Sequence, residues 1–341
     1  MRSALYTGNS TIVVEERPAV PPAAGEVQIE VAYTGICGTD LHILHGDMDS
    51  RVRIPQTIGH EMSGRVAAVG PGVTGLTVGA PVTVMPLRWC GACPACLAGH
   101  HHICHRLDFV GIDSPGAMQQ RWTVAADVVV PLPADLPLTH GALVEPTAVA
   151  VHDVRRAGLR AGEQAVVIGG GPIGVLIALV ARSAGADVVL VEVDTQRRAI
   201  AGRLGIRTLD PARDDPGGEV AAWTGGAGAA VAFEVSGSAA GLTTAVDLLA
   251  VRGRLVVVGL HSQKREIDLF RFFWRELTLV GARVYQREDY DTAIELLRAG
   301  EVGAGTLITH VEPLTGAAAA FDALRGGGGV MKVLIDCRAT P

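Results

Sequence analysis

From residue 165 to 260 the chain switches repeatedly between short apolar runs of strand length and longer apolar stretches of helix length. Residues 165–168 (AVVI) predict a buried strand, 175–183 an apolar helix that Gly185 ends, and 188–193 a second strand. The run 229–237, a helix through 239–250 and a further run at 253–260 repeat the cycle. Strands alternating with helices in this way predict a doubly wound, parallel α/β sheet. Residues 1–150 read differently. Short runs broken by Gly and Pro predict short strands folded into a β-barrel-like core. The tail closes with a loop at 325–330 (RGGGGV) and a final strand, MKVLID. The expected division is discontinuous: 1–150 and 285–341 form one domain, with a lobe at about 86–110, and 151–284 form the other, with a cleft between them.

Composition narrows the class. The 341 residues can bury a large core, and with 48% hydrophobic but only 4% aromatic residues that core must be Val, Leu, Ile and Ala. A net charge of −6 with scattered basic residues argues against a nucleic-acid surface. No apolar run reaches the ~18 residues a membrane helix needs, and MRSALYTGNS lacks the apolar core of a signal peptide. The expectation is a cytoplasmic protein with neither nucleic acid nor membrane as partner.

The six cysteines in a chain of this size point to metal binding before disulfides. Cys90, Cys93, Cys96 and Cys104 follow the spacing C-x2-C-x2-C-x7-C, with Gly91, Pro94 and Gly99 allowing tight turns. Four thiolates so spaced can close a tetrahedral shell around zinc, and a closed shell is structural because no position is left for water or substrate. Four reduced, unligated cysteines or an iron–sulfur cluster are the alternatives. His100, His101, His102 and His105 read as solvated residues of the lobe. Any metal chemistry therefore needs a second, open site.

The glycine pattern Gly169, Gly171, Gly174 is G-x-G-x-x-G after a strand and at the opening of a helix. The first glycine makes the turn, the second lets backbone approach a pyrophosphate, and the third lets helix and strand pack closely. Pro172 and Ile173 complete the turn, whose amides face the phosphates. Glu192, 18 residues past the last glycine, is positioned to accept ribose hydroxyls and to repel a 2′-phosphate, which favours NAD over NADP. Asp194 rivals it by spacing, and Arg197 and Arg198 keep NADP open.

For the open site, Cys37, His60, Glu61 and Glu145 offer one thiolate, one imidazole and carboxylates, a donor set suited to zinc with a free position. Spacing alone does not bring them together. Taken singly they read as a buried Cys, a loop His and a Glu at a helix start before Pro146.

The motifs CGTDLH, GHEMSGRVAAVG (59–70), the four-cysteine lobe, VEPTAVAVH and the glycine turn occur together and in order. Over essentially the whole chain this resembles the zinc-dependent alcohol dehydrogenases of the medium-chain dehydrogenase/reductase superfamily, nearest the sorbitol/polyol, butanediol and threonine dehydrogenase branches. The resemblance implies a GroES-like catalytic domain with a Rossmann domain, two zinc ions per chain (one catalytic, one structural), NAD, and a homodimer or homotetramer. It implies oxidation of a small-molecule alcohol, a secondary alcohol, polyol or vicinal diol, to the ketone. Cys37 and His60 match the family's catalytic zinc ligands. Glu61 matches the adjacent glutamate that ligates directly or swings in during turnover. Glu145 stands where the remaining ligand lies, a glutamate as in polyol dehydrogenases in place of a second cysteine. Thr39 matches the hydroxyl of the proton relay and His42 its terminal acceptor. The loop 115–122 (PGAMQQRW) departs from the family's usual aromatic-acidic stretch. The rival readings are a zinc-free quinone or enone reductase of the same superfamily and a non-catalytic NAD-binding sensor.

Overall fold

The computed structural model describes residues 1–325 and 329–338, so the middle of the loop expected at 325–330 lies outside the described residues. The chain forms two compact units. One comprises Met1–Glu145, Gln286–Ala299 and the chain from Ile308 onward, and the other Pro146–Tyr285 and Gly300–Leu307.

The first unit is built on a seven-stranded sheet whose spatial order is Val129–Pro131, Pro81–Val84, Glu61–Val69, Glu26–Gly35, Lys332–Asp336 and Ile308–Pro313, with Arg121–Ala125 also on Glu26–Gly35. All its pairings are antiparallel except that of the last two strands. Glu26–Gly35 is long because its sequence holds a period of two, with Val27, Ile29 and Val31 all fully buried. At its end Gly35 pairs with Glu61 on one side and Leu334 on the other, so three distant parts of the chain meet there. A Cβ on Gly35 would stand 2.2 Å from Glu61 Oε2. The chain then leaves the sheet, and Cys37 caps the helix Gly38–Leu44.

The stretch leading to His60 rests on the 115–122 loop. Gly116 N donates to Thr57 O at 2.7 Å, Ala117 N to Gly59 O at 2.9 Å and Met118 N to Ile58 O at 3.0 Å. Residues 116–119 and Trp122 are buried. The loop that departs from the usual pattern is thus backbone support for His60.

The second unit is a six-stranded parallel sheet in the spatial order Arg207–Leu209, Asp187–Val191, Gln164–Ile168, Ala229–Glu234, Leu249–Val257, Thr278–Gly281. Numbered along the chain this is 3-2-1-4-5-6, the doubly wound Rossmann order, and its direction switches between Gln164–Ile168 and Ala229–Glu234. Some expected boundaries move. The first helix spans Pro172–Ser183, starting ahead of 175, because Gly171 is its cap and Pro172 preorganises its first turn. The helix expected through 250 ends at Asp247, since Leu249 already pairs with Ala229; the strand begins there and stops at Val257. No helix of the described residues is long and apolar enough to cross a membrane.

A Cβ at Gly116 would lie 2.4 Å from Gly59 O and 2.5 Å from the Ile58 carbonyl carbon. Gly116→Ala should therefore push the chain entering His60 and cost about 1–3 kcal/mol. Thermal unfolding with zinc analysis should show a lower Tm and weakened metal retention. An unchanged Tm and zinc content would contradict this support role.

Candidate functional site

In the lobe the four sulfurs converge. The Sγ atoms of Cys90 and Cys104 are 3.5 Å apart, those of Cys93 and Cys104 are 3.8 Å apart, and all four lie within 4.8 Å of one another. A tetrahedron with Zn–S bonds of ~2.3 Å requires sulfurs ~3.8 Å apart, so the donor set fits zinc. None of the four is in a disulfide. Backbone amides point at the sulfurs: Cys90 N and Arg106 N at Cys104 Sγ (3.4 and 3.3 Å), and His105 N at Cys93 Sγ (3.5 Å). An Ala92 backbone amide, first among several donors, pulls the Cys90 thiol down, and Cys96 and His105 amides do the same for Cys93. Burial and the neighbouring thiols push Cys96 up. Four sulfurs this close cannot all ionise unaided, and a divalent cation removes the conflict. The lobe histidines are not all solvated. His102 is buried with Nδ1 3.3 Å from Gln286 Nε2, while His101 stacks on Trp89 at 4.9 Å.

The second donor set unites the end of one strand exit with the start of another. Cys37 Sγ, a His60 ring nitrogen and a Glu61 oxygen all lie within 4.8 Å of one another. His60 and Glu61 are buried and Cys37 half-buried, so the set could hold a metal while leaving one side open. Glu145, buried near the start of the helix Val144–Arg156, is close enough for its charge to act on His60 and Lys332. The donors drawn into one compact group are nevertheless Cys37, His60 and Glu61.

Two further residues shape this site and were not singled out from sequence. Asp40, fully buried, accepts from Cys37 N at 2.9 Å and places Oδ1 3.9 Å from His60 Nδ1. That gap is too long for a hydrogen bond, so the carboxylate acts on the ring through its charge. Burial alone would lower the His60 pKa, but Asp40 and Cys37 outweigh it and hold it well above the usual imidazole value. Metal binding there must displace a proton. Lys332 is the other. Its ammonium donates to Glu61 Oε2 at 2.7 Å, Glu61 Oε1 at 2.9 Å and Ile36 O at 3.2 Å, which uses all three of its hydrogens. Glu61 is thus poised between the donor group and a buried cation. The available signal was lysine usage: the chain has two lysines, Lys264 and Lys332, and one of them interrupts the apolar final strand.

Thr39 and His42 lie three residues apart on the helix Gly38–Leu44, hence on one face. Thr39 is half-buried, while His42 is 40% exposed with Nδ1 3.1 Å from Asp47 Oδ2.

In the second unit, Gly169 (φ 105°) makes the turn, and a Cβ on Gly174 would fall 1.9 Å from Gly169 O. Only glycine allows that helix–strand approach. Next to Gly171 the space is open, with Arg197 Nη1 4.0 Å from where a Cβ would be. Pro172 and Ile173 form the first helical turn with Gly174. Glu192 is buried just past the strand Asp187–Val191. Its Oε2 accepts from Gly170 N at 2.6 Å and its Oε1 from Asp194 N at 2.8 Å, and each oxygen keeps a lone pair for a ribose hydroxyl. Asp194 has another task, capping the helix Thr195–Arg203 through Gln196 N and Arg197 N. Arg198 is engaged by Asp210 at 2.7 Å and by the carbonyls of Glu192 and Val193. The turn and carboxylate fit a dinucleotide.

Residues 23–134 match the family described as alcohol dehydrogenase GroES-like domain and 172–299 match zinc-binding dehydrogenase. The chain is 51% identical over 339 residues, covering 99% of both chains, to 2-dehydro-3-deoxy-L-galactonate 5-dehydrogenase of Pseudoalteromonas atlantica. It is 31% identical over 312 residues, 91% of both, to L-galactonate-5-dehydrogenase of Escherichia coli. The crystal structure of 2R,3R-butanediol dehydrogenase from Bacillus subtilis superposes with a TM-score of 0.91 at 31% identity, over 98% of this chain and 99% of that one.

Replacing Lys332 would leave Glu61 buried without the ammonium. Lys332→Met should cost about 3–5 kcal/mol in zinc-free protein, and added zinc should recover part of it as Glu61 turns to the metal. Chemical unfolding with and without zinc checks this. Equal losses in both conditions would mean that Glu61 does not exchange between the two cations.

Proposed function

The chain belongs to the zinc-dependent alcohol dehydrogenase family of the medium-chain dehydrogenase/reductase superfamily, and on that premise we propose that it oxidises the C5 secondary hydroxyl of a 2-keto-3-deoxy sugar acid. It is a zinc- and NAD(P)-dependent oxidoreductase acting on a secondary alcohol or polyol. The observation that carries the finer reading is 51% identity, over 99% of both chains, to a 5-dehydrogenase of 2-dehydro-3-deoxy-L-galactonate. The 5-dehydrogenase of L-galactonate points the same way at lower identity.

Cys37, His60 and Glu61, with Glu145 nearby, would hold the catalytic zinc, and Cys90, Cys93, Cys96 and Cys104 the structural one. When bound, zinc supplies Lewis acidity toward the substrate hydroxyl and the nicotinamide supplies the hydride acceptor. The chain's own groups do the rest. Asp40 holds the His60 ring by charge across 3.9 Å. Lys332 holds Glu61 ready to move toward or away from the metal. The Thr39 hydroxyl can accept a proton and donate one in the same step. Asp47 accepts from His42 Nδ1, which leaves Nε2 to receive the proton at a ring open to water. Gly169, Gly171, Pro172, Ile173 and Gly174 would cradle the pyrophosphate of the dinucleotide with backbone and Glu192 would take ribose hydroxyls, while Arg197 flanks the turn. Two complete donor sets support this reading over a zinc-free quinone reductase or an NAD-binding sensor, neither of which uses an open metal site.

NADH formation should be fastest on the 2-keto-3-deoxy acid, with kcat/KM at least about tenfold above sorbitol or 2,3-butanediol. Dialysis against a chelator should abolish it, and zinc restore it. Faster turnover of a neutral polyol would sink the sugar-acid assignment.

Homo-oligomerisation is also proposed. The edge strand Thr278–Gly281 is largely exposed, beside the helix Leu269–Arg275, whose Phe270, Phe273 and Trp274 are 66%, 77% and 71% exposed. An open edge flanked by aromatics is suited to pairing with a second copy. Phe273→Glu with Trp274→Glu should convert the assembly to monomer in sedimentation experiments. An unchanged mass would place the interface elsewhere.

A further inference from the structure

The loop after the strand Leu249–Val257 is irregular and half-buried to exposed from residue 258 to 268, and one buried carboxylate ties it down. Glu234 ends the strand Ala229–Glu234 and is fully buried. Its Oε1 accepts from Ser236 N at 2.9 Å, from Gly237 N at 3.0 Å and from the Ser236 hydroxyl. Its Oε2 accepts from His261 Nε2 at 2.9 Å. Arg265 Nε lies 3.4 Å from His261 Nδ1, and its Nη2 lies 3.5 Å from Gly237 O. A guanidinium only donates, so Nδ1 is the acceptor and the proton of a neutral His261 sits on Nε2, directed at Glu234. The backbones close the ring: Val258 N and Gly259 N both donate to Glu234 O at 2.9 Å, and a Cβ on Gly237 would stand 2.7 Å from Leu260 O.

The place of this ring in the sheet gives it meaning. Glu234 lies at the carboxyl end of the strand beside the switch point, where doubly wound sheets bind dinucleotides. Val235 N donates to Ile168 O at 2.9 Å, and Ser236 N is 3.0 Å from where a Cβ on Gly169 would be. The loops fastened by Glu234 therefore continue directly from the pyrophosphate turn. The adenosine half of the cofactor has Glu192 and the first half-sheet. The nicotinamide half must run over the carboxyl ends of the second half-sheet, which are the 235–238 and 258–265 loops.

We propose that Glu234, His261 and Arg265 form a latch that holds the 258–265 loop against the switch point, so that the nicotinamide half of NAD meets a preformed wall. His261 and Arg265 are positioning residues; they act through the loop. The latch rests on the family's NAD chemistry and not on the choice of alcohol, so its test is cofactor binding without substrate.

The experiment uses the full chain with zinc bound. NADH affinity is read from the fluorescence of bound nicotinamide, and ADP-ribose affinity from competition. His261→Ala should weaken NADH about tenfold while ADP-ribose, which lacks the nicotinamide, stays within about twofold. His261→Gln, which keeps a donor at the ε position, should return NADH to within about threefold of the parent. In cofactor-free protein, amide hydrogen exchange should quicken over 258–265 and not over Gly169–Gly174. Arg265→Met, at the half-exposed end of the latch, should shift NADH the same way by about threefold and serves if His261→Ala fails to fold. Equal weakening of NADH and ADP-ribose would reduce the latch to general stability of the unit. Unchanged NADH affinity in His261→Ala or, if that variant does not fold, in Arg265→Met, or no rescue by Gln, would overturn it.

Discussion

Five ionisable groups, Cys37, Asp40, His60, Glu61 and Lys332, are gathered where three strands of the first unit meet, and all but Cys37 are nearly or fully buried. Isolated charges in such a place cost several kcal/mol each, so every one of them needs a partner. Lys332 meets both oxygens of Glu61, and Asp40 faces His60 and caps the Cys37 amide. Much else about the unit follows from keeping this set together. Gly35 has no side chain because Glu61 occupies that space. Gly116 has none because the chain entering His60 passes there. The final strand is drawn onto Glu26–Gly35, so that the ammonium arrives 271 residues away in sequence from the carboxylate it neutralises.

The same device recurs in the second unit on a different scale. Glu192 and Glu234 are both buried carboxylates just at or past the ends of parallel strands. Each gathers backbone amides from loops that would otherwise be loose: Glu192 takes Gly170 and Asp194, and Glu234 takes Ser236 and Gly237. A carboxylate accepts several amides at once, and such charge-assisted bonds are stronger than neutral ones. The carboxyl edge of the sheet is thereby rigid where a dinucleotide needs preformed surfaces. The structural lobe shows the converse arrangement, with amides aimed at sulfurs whose mutual repulsion only a cation relieves.

The features legible in sequence were those with short-range signatures. The cysteine spacing, the glycine turn with Glu192, and the CGTDLH and GHEM motifs are each set by chain segments of fewer than about 30 residues, within which turn geometry constrains side chains directly. Helix and strand edges were less legible. The start at Pro172 depends on capping by Gly171, and the strand from Leu249 on pairing with Ala229. The 115–122 loop read as an unusual segment of unknown place, because its work is done by main-chain amides on residues 57–59, which no side-chain pattern encodes.

By itself the sequence determined the class of chemistry: which donors exist for two metal sites, which backbone turn is shaped for phosphates, and which acid is placed to meet a ribose. Those depend on residue identity and local spacing. Tertiary structure alone decided the partners of each charge. Lys332 on Glu61, Asp40 behind His60 and His261 on Glu234 join residues through burial and strand pairing, and the energy that selects them, the cost of leaving a charge unpaired away from water, exists only once the chain has folded around them.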